Sequence, residues 1–235
     1  MRLSNLGLAL VHAGQALLML VVGSNLVLDA TRRTGNGVGA EQVVLTISVG
    51  GALAVFFLAA ALYHGSSATL LNGAYEADLR RGRNRGRWVE LAVSSPILMV
   101  LIALFAGVTD IVALAVVVAA SVVMVACGWM QESWNPPGRR TTTMVPFWCG
   151  VVAGVLPWLI IGLEMLGAGS MPKFSFPIFL TLGLMWAAGA VNQWLQYHQV
   201  GPWADYLHGE KTNMALSLVA KSAVAWQLLV ACALT

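Results

Sequence analysis

The stretch Ser217-Leu218-Val219-Ala220-Lys221-Ser222-Ala223-Val224-Ala225-Trp226-Gln227 sets a single lysine inside an apolar run that is otherwise uncharged. The run covers about Met214–Leu234 and is long enough to cross a bilayer as a helix. Lys221 lies eight residues beyond Asn213. At about 1.5 Å per residue that is roughly 12 Å, close to the middle of the hydrocarbon. An ammonium at this depth cannot easily snorkel and is a functional candidate by default. It is either a buried cation with a counterion or an amine able to form a Schiff base.

The rest of the chain repeats the apolar theme. Of 235 residues, 58% are hydrophobic and 10% charged, where a soluble domain has about 25% charged. The mean hydropathy is +0.77. Too few polar residues are present to cover a soluble surface of this size. The expected fold is all-α: one seven-transmembrane-helix bundle over residues 1–235, without a second domain. The spans are expected at about Leu6–Leu28, Val43–Leu71, Trp88–Val108, Ile111–Met130, Val145–Leu166, Phe176–Tyr197 and Met214–Leu234. The second frays into Asn72–Leu79. Between them lie a polar loop at Asp29–Gln42, an arginine-rich run from Arg80 to Arg87 and a short turn at Thr109-Asp110. A loop at Gln131–Thr143 carries the breaker Asn135-Pro136-Pro137-Gly138. Gly167–Pro172 is a turn and Gly201–Thr212 a loop. The first span is expected to remain in the mature chain, because no clear processing site follows it. Cys127, Cys149 and Cys232 sit in apolar surroundings without metal-like spacing and read as packed thiols.

With seven spans the termini face opposite sides. The N-terminal side holds Arg2, Arg80, Arg81, Arg83, Arg85, Arg87, Arg139, Arg140 and Lys211, nine basic residues. The other side holds three, Arg32, Arg33 and Lys173. The positive-inside rule therefore places the N-terminus in the cytoplasm. The arginine run could touch anionic headgroups of the lipid bilayer. Without a recognition fold it does not indicate nucleic acid.

Glu90 opens the third span and is the natural partner for Lys221, since both helices enter from the N-terminal side. A carboxylate there would favour a protonated Schiff base. Glu90 could instead pair with Arg87, three residues earlier on the same helix face. His12 and His64 fall at a comparable depth on the first two spans and suggest a polar chamber that holds water or a transient proton. Gln193 and Gln196 could join it, and Tyr75 and Asn84 could close it. Toward the opposite side the third span has no carboxylate from Leu91 to Val108, and the seventh has no charge after Lys221. Glu164 reads as interfacial. A proton pump needs partners on both sides of the switching proton, and this chain supplies them on one.

The seventh-span string quoted above closely resembles a motif of the heliorhodopsins. So do Leu195-Gln196-Tyr197, Gly201, Trp203, Asp205-Tyr206-Leu207 and Gly209-Glu210. Arg87-Trp88-Val89-Glu90 with Ser94-Ser95 resembles the family's third-helix motif, and His12 and His64 match its internal histidines. The resemblance covers essentially the whole chain. It implies a rhodopsin-like fold with a cytoplasmic N-terminus, and all-trans-retinal bound covalently to Lys221 as a Schiff base. Glu90 would be the counterion and Ser217 a hydrogen-bonding neighbour, with Ser94, Ser95, Ser121 and Trp186 beside the chromophore. His12, His64, Arg87, Gln193 and Gln196 would form the proton-transfer network.

The family resemblance further implies a non-enzymatic light sensor with a slow photocycle and no net ion pumping. It would be a homodimer, with Asp29–Gln42 contributing to the contact, and could act on a cytoplasmic signalling partner. Leu91 and Ser121 depart from residues common in relatives, an aromatic and an asparagine, and could shift colour or photocycle speed. Two other readings remain open at this level: a light-gated or light-driven ion transporter of the same fold, and a non-photochemical membrane transporter or scaffold.

Overall fold

The computed structural model describes residues 1–33, 41–136, 141–167 and 174–234. Seven of its helices are long and apolar enough to cross a membrane: α1 (Arg2–Val22), α2 (Val49–Ala68), α4 (Arg85–Phe105), α5 (Ile111–Trp134), α6 (Val145–Gly167), α7 (Ser175–Tyr197) and α8 (Tyr206–Leu234). A short helix, α3 (Asn72–Arg80), follows α2, and a 3-10 turn at Gly201–Ala204 precedes α8. Helices solve the membrane problem because every backbone polar group is satisfied within its own segment. Side chains such as Leu10, Leu17, Val21, Val152, Leu163 and Leu166 stay exposed, as a lipid-facing surface requires.

Several helix starts are written locally. Ser48 accepts from the backbone N–H of Gly51, Asn84 from that of Arg87, and Asp110 from those of Val112 and Ala113. Each side chain satisfies donors that the first turn leaves free. α1 and α2 approach closely through paired glycines. A Cβ on Gly23 would fall 2.7 Å from Cα of Gly50, so only glycine fits there.

Three sequence expectations change. Asp29–Gln42 is not simply a loop, and the second span does not begin at Val43. Val27–Arg33 (β1) and Glu41–Ser48 (β2) form an antiparallel hairpin, with Val27 opposite Ser48 and Arg33 opposite Glu41. Val43, Val44, Leu45, Thr46 and Ile47 are β-branched or apolar and pair as a strand, which a hydropathy window cannot distinguish from a helix start. The hairpin is anchored to the bundle where the Thr31 N–H donates to the Thr109 carbonyl at 2.8 Å. The last span is also longer than expected: α8 begins at Tyr206, inside the segment read as a loop. The centre of the first polar loop (34–40), Pro137-Gly138, Arg139, Arg140, Lys173, most of the Gly167–Pro172 turn and Thr235 lie outside the described residues.

The interior is divided. Away from the N-terminal side, Met19, Leu53, Phe57, Leu101, Ile102, Leu228 and Leu229 make an apolar core. Toward it, the buried side chains include Asn5, His64, Asn84, Glu90, Glu132, Asn192 and Glu210. On α3, outside the spans, Asp78 accepts from Arg83 and Arg85 at 3.0 and 2.7 Å. Partial burial works to raise its carboxyl, but the hydrogen bonds and charge of Arg85 and Arg83 hold it below the usual carboxylate range.

Candidate functional site

α4 and α8 bring the site together. Lys221 Nζ donates to Glu90 Oε1 at 2.7 Å and to Ser94 Oγ at 2.9 Å. The ammonium also lies 4.4 Å from the centre of the Phe56 ring, a cation–π contact. Glu90 and Ser94 are four residues apart, hence on one helix face. Both members of the ion pair are buried, at 7% and 5% exposure. Burial at this level is tolerated because the two charges pair with each other and the ammonium gains a further hydrogen bond and an aromatic ring.

The pair faces a cavity of about 300 Å³. Ser94, Ser95, Ser217 and Trp186 line it with Lys221 and Glu90. Its far wall is apolar, built from Met99, Met124, Trp158, Leu182 and Met185. Trp186 Nε1 donates to Met124 Sδ at 3.2 Å. Gly154 lets this wall close, since a Cβ there would come within 2.8 Å of that sulfur and 2.9 Å of the Trp186 ring. At Gly189, on the cavity wall, a Cβ would meet nothing within 4 Å. Ser121 is placed differently. It is buried in α5, donates to the Val117 carbonyl at 2.8 Å, and is not part of the cavity lining.

Toward the N-terminal side the cavity ends on Tyr63, His64, Arg87, Gln193, Glu210 and Asn213. Arg87 does not pair with Glu90. Its guanidinium bridges Glu132 at 2.9 Å and Glu210. Glu132 also accepts from Trp88 Nε1 at 2.7 Å, the Asn84 N–H at 2.8 Å and the Tyr206 hydroxyl at 3.0 Å. Asn84 Nδ2 donates to both Tyr63 and Glu210. Gly128 makes the Trp88 contact possible: a Cβ there would lie 2.3 Å from the indole ring. This cluster was only partly visible in the sequence. Glu132 sits at the end of an apolar run and reads as a loop residue. Glu210 belongs to a quoted motif but carried no assigned role. The available signal was that Arg87, once Glu90 is engaged elsewhere, needs an acidic partner.

The histidines do meet. The rings of His12 and His64 stack with centres 5.8 Å apart, and His64 Nδ1 lies 2.7 Å from Asn5 Oδ1. His64 lines the cavity, whereas His12 stands behind it against Phe57. Gln193 is on the cavity wall. Gln196 is not. It packs on the start of α8, with its amide on the Tyr206 carbonyl at 3.3 Å. Tyr75 is buried on α3, and burial raises its phenol above the ordinary range. Among the described residues no cluster of His, Cys, Asp and Glu could hold a metal ion.

Seven membrane-length helices around an interior cavity define a rhodopsin-type membrane protein. A crystal structure of the light-driven proton pump LR (Mac) from Leptosphaeria maculans superposes with a TM-score of 0.72 at 13% sequence identity. The match covers 100% of this chain and 96% of that one, and establishes likeness of fold. The chain belongs to the heliorhodopsin family, whose sequence profile, described as Heliorhodopsin, matches residues 1–233. Its members are retinal-binding photoreceptors and not enzymes. No curated protein sequence matches the chain.

Proposed function

We propose that this protein is a light sensor in which Lys221 Nζ holds all-trans-retinal as a Schiff base and Glu90 is the counterion. The observation that carries this reading is the buried Lys221–Glu90 pair at 2.7 Å on the wall of an apolar cavity. The residues fit the group. The amine is at the cavity wall, the carboxylate beside it would hold an iminium positive, and Trp158, Trp186, Met99 and Met185 offer a surface suited to a long polyene. Ser94 hydrogen-bonds at the attachment point, and Ser217, one turn before it on the cavity wall, would be a second hydrogen-bonding neighbour. Bound retinal supplies the chemistry of light-driven isomerisation.

The protein's part is to control the proton at Lys221 Nζ. Glu90 Oε1 and Ser94 Oγ are within hydrogen-bond reach of it. His64 stands further along the same cavity and passes the path to His12. An imidazole nitrogen can take a proton and return it. Arg87 closes this end by holding Glu132 and Glu210. In the other direction α4 and α8 present Leu101, Ile102, Leu228 and Leu229, with no carboxylate on α4 beyond Glu90 or on α8 beyond Lys221. A proton leaving Nζ therefore returns from the side it left by, which supports a sensor rather than a pump.

The basic residues at the N-terminal side support a cytoplasmic N-terminus and an extracellular C-terminus. The β1–β2 hairpin leaves Val27, Val43, Val44 and Leu45 exposed, and we assign the homodimer contact to it. A signalling partner would then meet the cytoplasmic end of the bundle.

The deciding experiment adds all-trans-retinal to the expressed protein. A visible absorption band is expected, and Lys221→Ala should lack it. No band in the parent protein, or a normal band in Lys221→Ala, would overturn the reading.

A further inference from the structure

Asn192 lies on α7, buried at 3% exposure, one turn before Gln196. Its Oδ1 accepts from the indole Nε1 of Trp203 at 2.7 Å. Its Nδ2 donates to the Gly209 carbonyl at 3.1 Å and to Asn213 Oδ1 at 2.8 Å. The orientation of this amide is fixed twice. An indole N–H can only donate, and a backbone carbonyl can only accept, so the flipped amide would face like groups on both sides. One side chain thus ties together three places: the surface turn Gly201–Ala204, the first turns of α8, and Asn213 on the cavity wall.

The chain entering the turn carries a costly backbone conformation at Gln199. Gln199 has φ of 52°, in the left-handed region that a side chain disfavours, and Gly201 has φ of 54°. Asp205 Oδ1 caps the start of α8 through the Leu207 N–H at 3.0 Å. From Asn213 to Lys221 the chain is uninterrupted helix, so a displacement of Lys221 along α8 reaches Asn213 with little loss. Beyond Asn213, the Asn192 amide hands it to Trp203.

We propose that Asn192 is a positioning residue that couples the cavity to the Gly201–Ala204 turn and makes that turn the moving output surface of the protein. The proposal deepens the photosensor reading and rests on it. No other described side chain hydrogen-bonds to both the turn and a cavity-lining residue of α8, so breaking this link uncouples the surface from the chromophore without touching the attachment site.

The test is hydrogen exchange of segment 198–205, read by mass spectrometry on the full-length retinal-loaded protein in the dark and under illumination. The parent protein should exchange faster in light. Asn192→Leu should keep the visible band but exchange this segment roughly fivefold or more faster in the dark, the factor for loss of about one net hydrogen bond. Illumination should then add nothing. Trp203→Phe, which removes the indole donor while keeping an aromatic ring, should behave alike. A light-dependent difference that persists unchanged in both variants would overturn the proposal, as would a parent band accompanied by light-independent exchange. Absence of the band in the parent protein would overturn the photosensor reading and the output role together.

Discussion

Lys221 and Glu90 are 131 positions apart in the chain, yet Lys221 Nζ lies 2.7 Å from Glu90 Oε1 in the interior of the bundle. Glu90→Gln keeps the shape and removes the charge. The Schiff-base pKa should fall, since no carboxylate then offsets the cost of a buried cation. At neutral pH the band should move to the red if the base stays protonated and into the near ultraviolet if it does not. A spectrophotometric titration checks both, and an unchanged spectrum with an unchanged titration would remove Glu90 from the counterion role.

Light should move a proton within the protein but not across the membrane. Flash absorption should reveal transient deprotonation at Lys221 Nζ. Weakly buffered liposomes should show no sustained light-driven pH change, with or without an uncoupler. A sustained, uncoupler-sensitive change would make the protein a pump. Replacing both His12 and His64 by Phe should alter the rate of the deprotonation step, because the stacked pair is then gone from the path. Identical kinetics in the double variant would exclude them.

Glu132→Ala should be strongly destabilising. It leaves Arg87 with one carboxylate in place of two, and strips the acceptor from Trp88, the Asn84 N–H and Tyr206. Breaking a buried pair of this kind costs about 3–5 kcal/mol. Glu132→Gln retains an acceptor oxygen and should lose less. Thermal unfolding in detergent reads the difference, and equal midpoints for Glu132→Ala and the parent protein would contradict the assignment.

The connection from α3 to α4 should resist acid. Asp78 is held below the ordinary carboxylate range when folded, so its contribution is fully present above its unfolded pKa of about 3.9 and is lost as pH falls through the lower folded value. Proteolysis within Arg80–Arg87 should therefore stay slow from neutral pH down to that unfolded value. Asp78→Asn should be cut faster already at pH 7, where Arg83 and Arg85 lose their common partner. Equal cleavage rates would show that the pairing does not order the segment.

The seven spans and the special status of Lys221 were legible in the sequence by itself. In lipid a segment must satisfy its own backbone, so the length and apolarity of each run carry the topology without any knowledge of neighbours. A lysine in the middle of such a run stands out for the same reason. The partners of Arg87 were decided only by the tertiary structure. Glu90 had two possible cations, Arg87 three residues before it and Lys221 on another helix, and the shared entry side of the two helices already favoured Lys221. The rotation of α4 in the bundle turns Glu90 and Ser94 to α8, while Arg87 reaches Glu132 and Glu210, which lie 45 and 123 positions away. The hairpin at Val27–Arg33 and Glu41–Ser48 escaped notice because pairing between strands is a relation between two segments, whereas hydropathy measures one. Gly128 is silent in the sequence and decisive in space, since the room it leaves is where Trp88 lies to reach Glu132. Composition along one chain segment fixes what can enter the membrane, and only packing between segments fixes which buried charges meet.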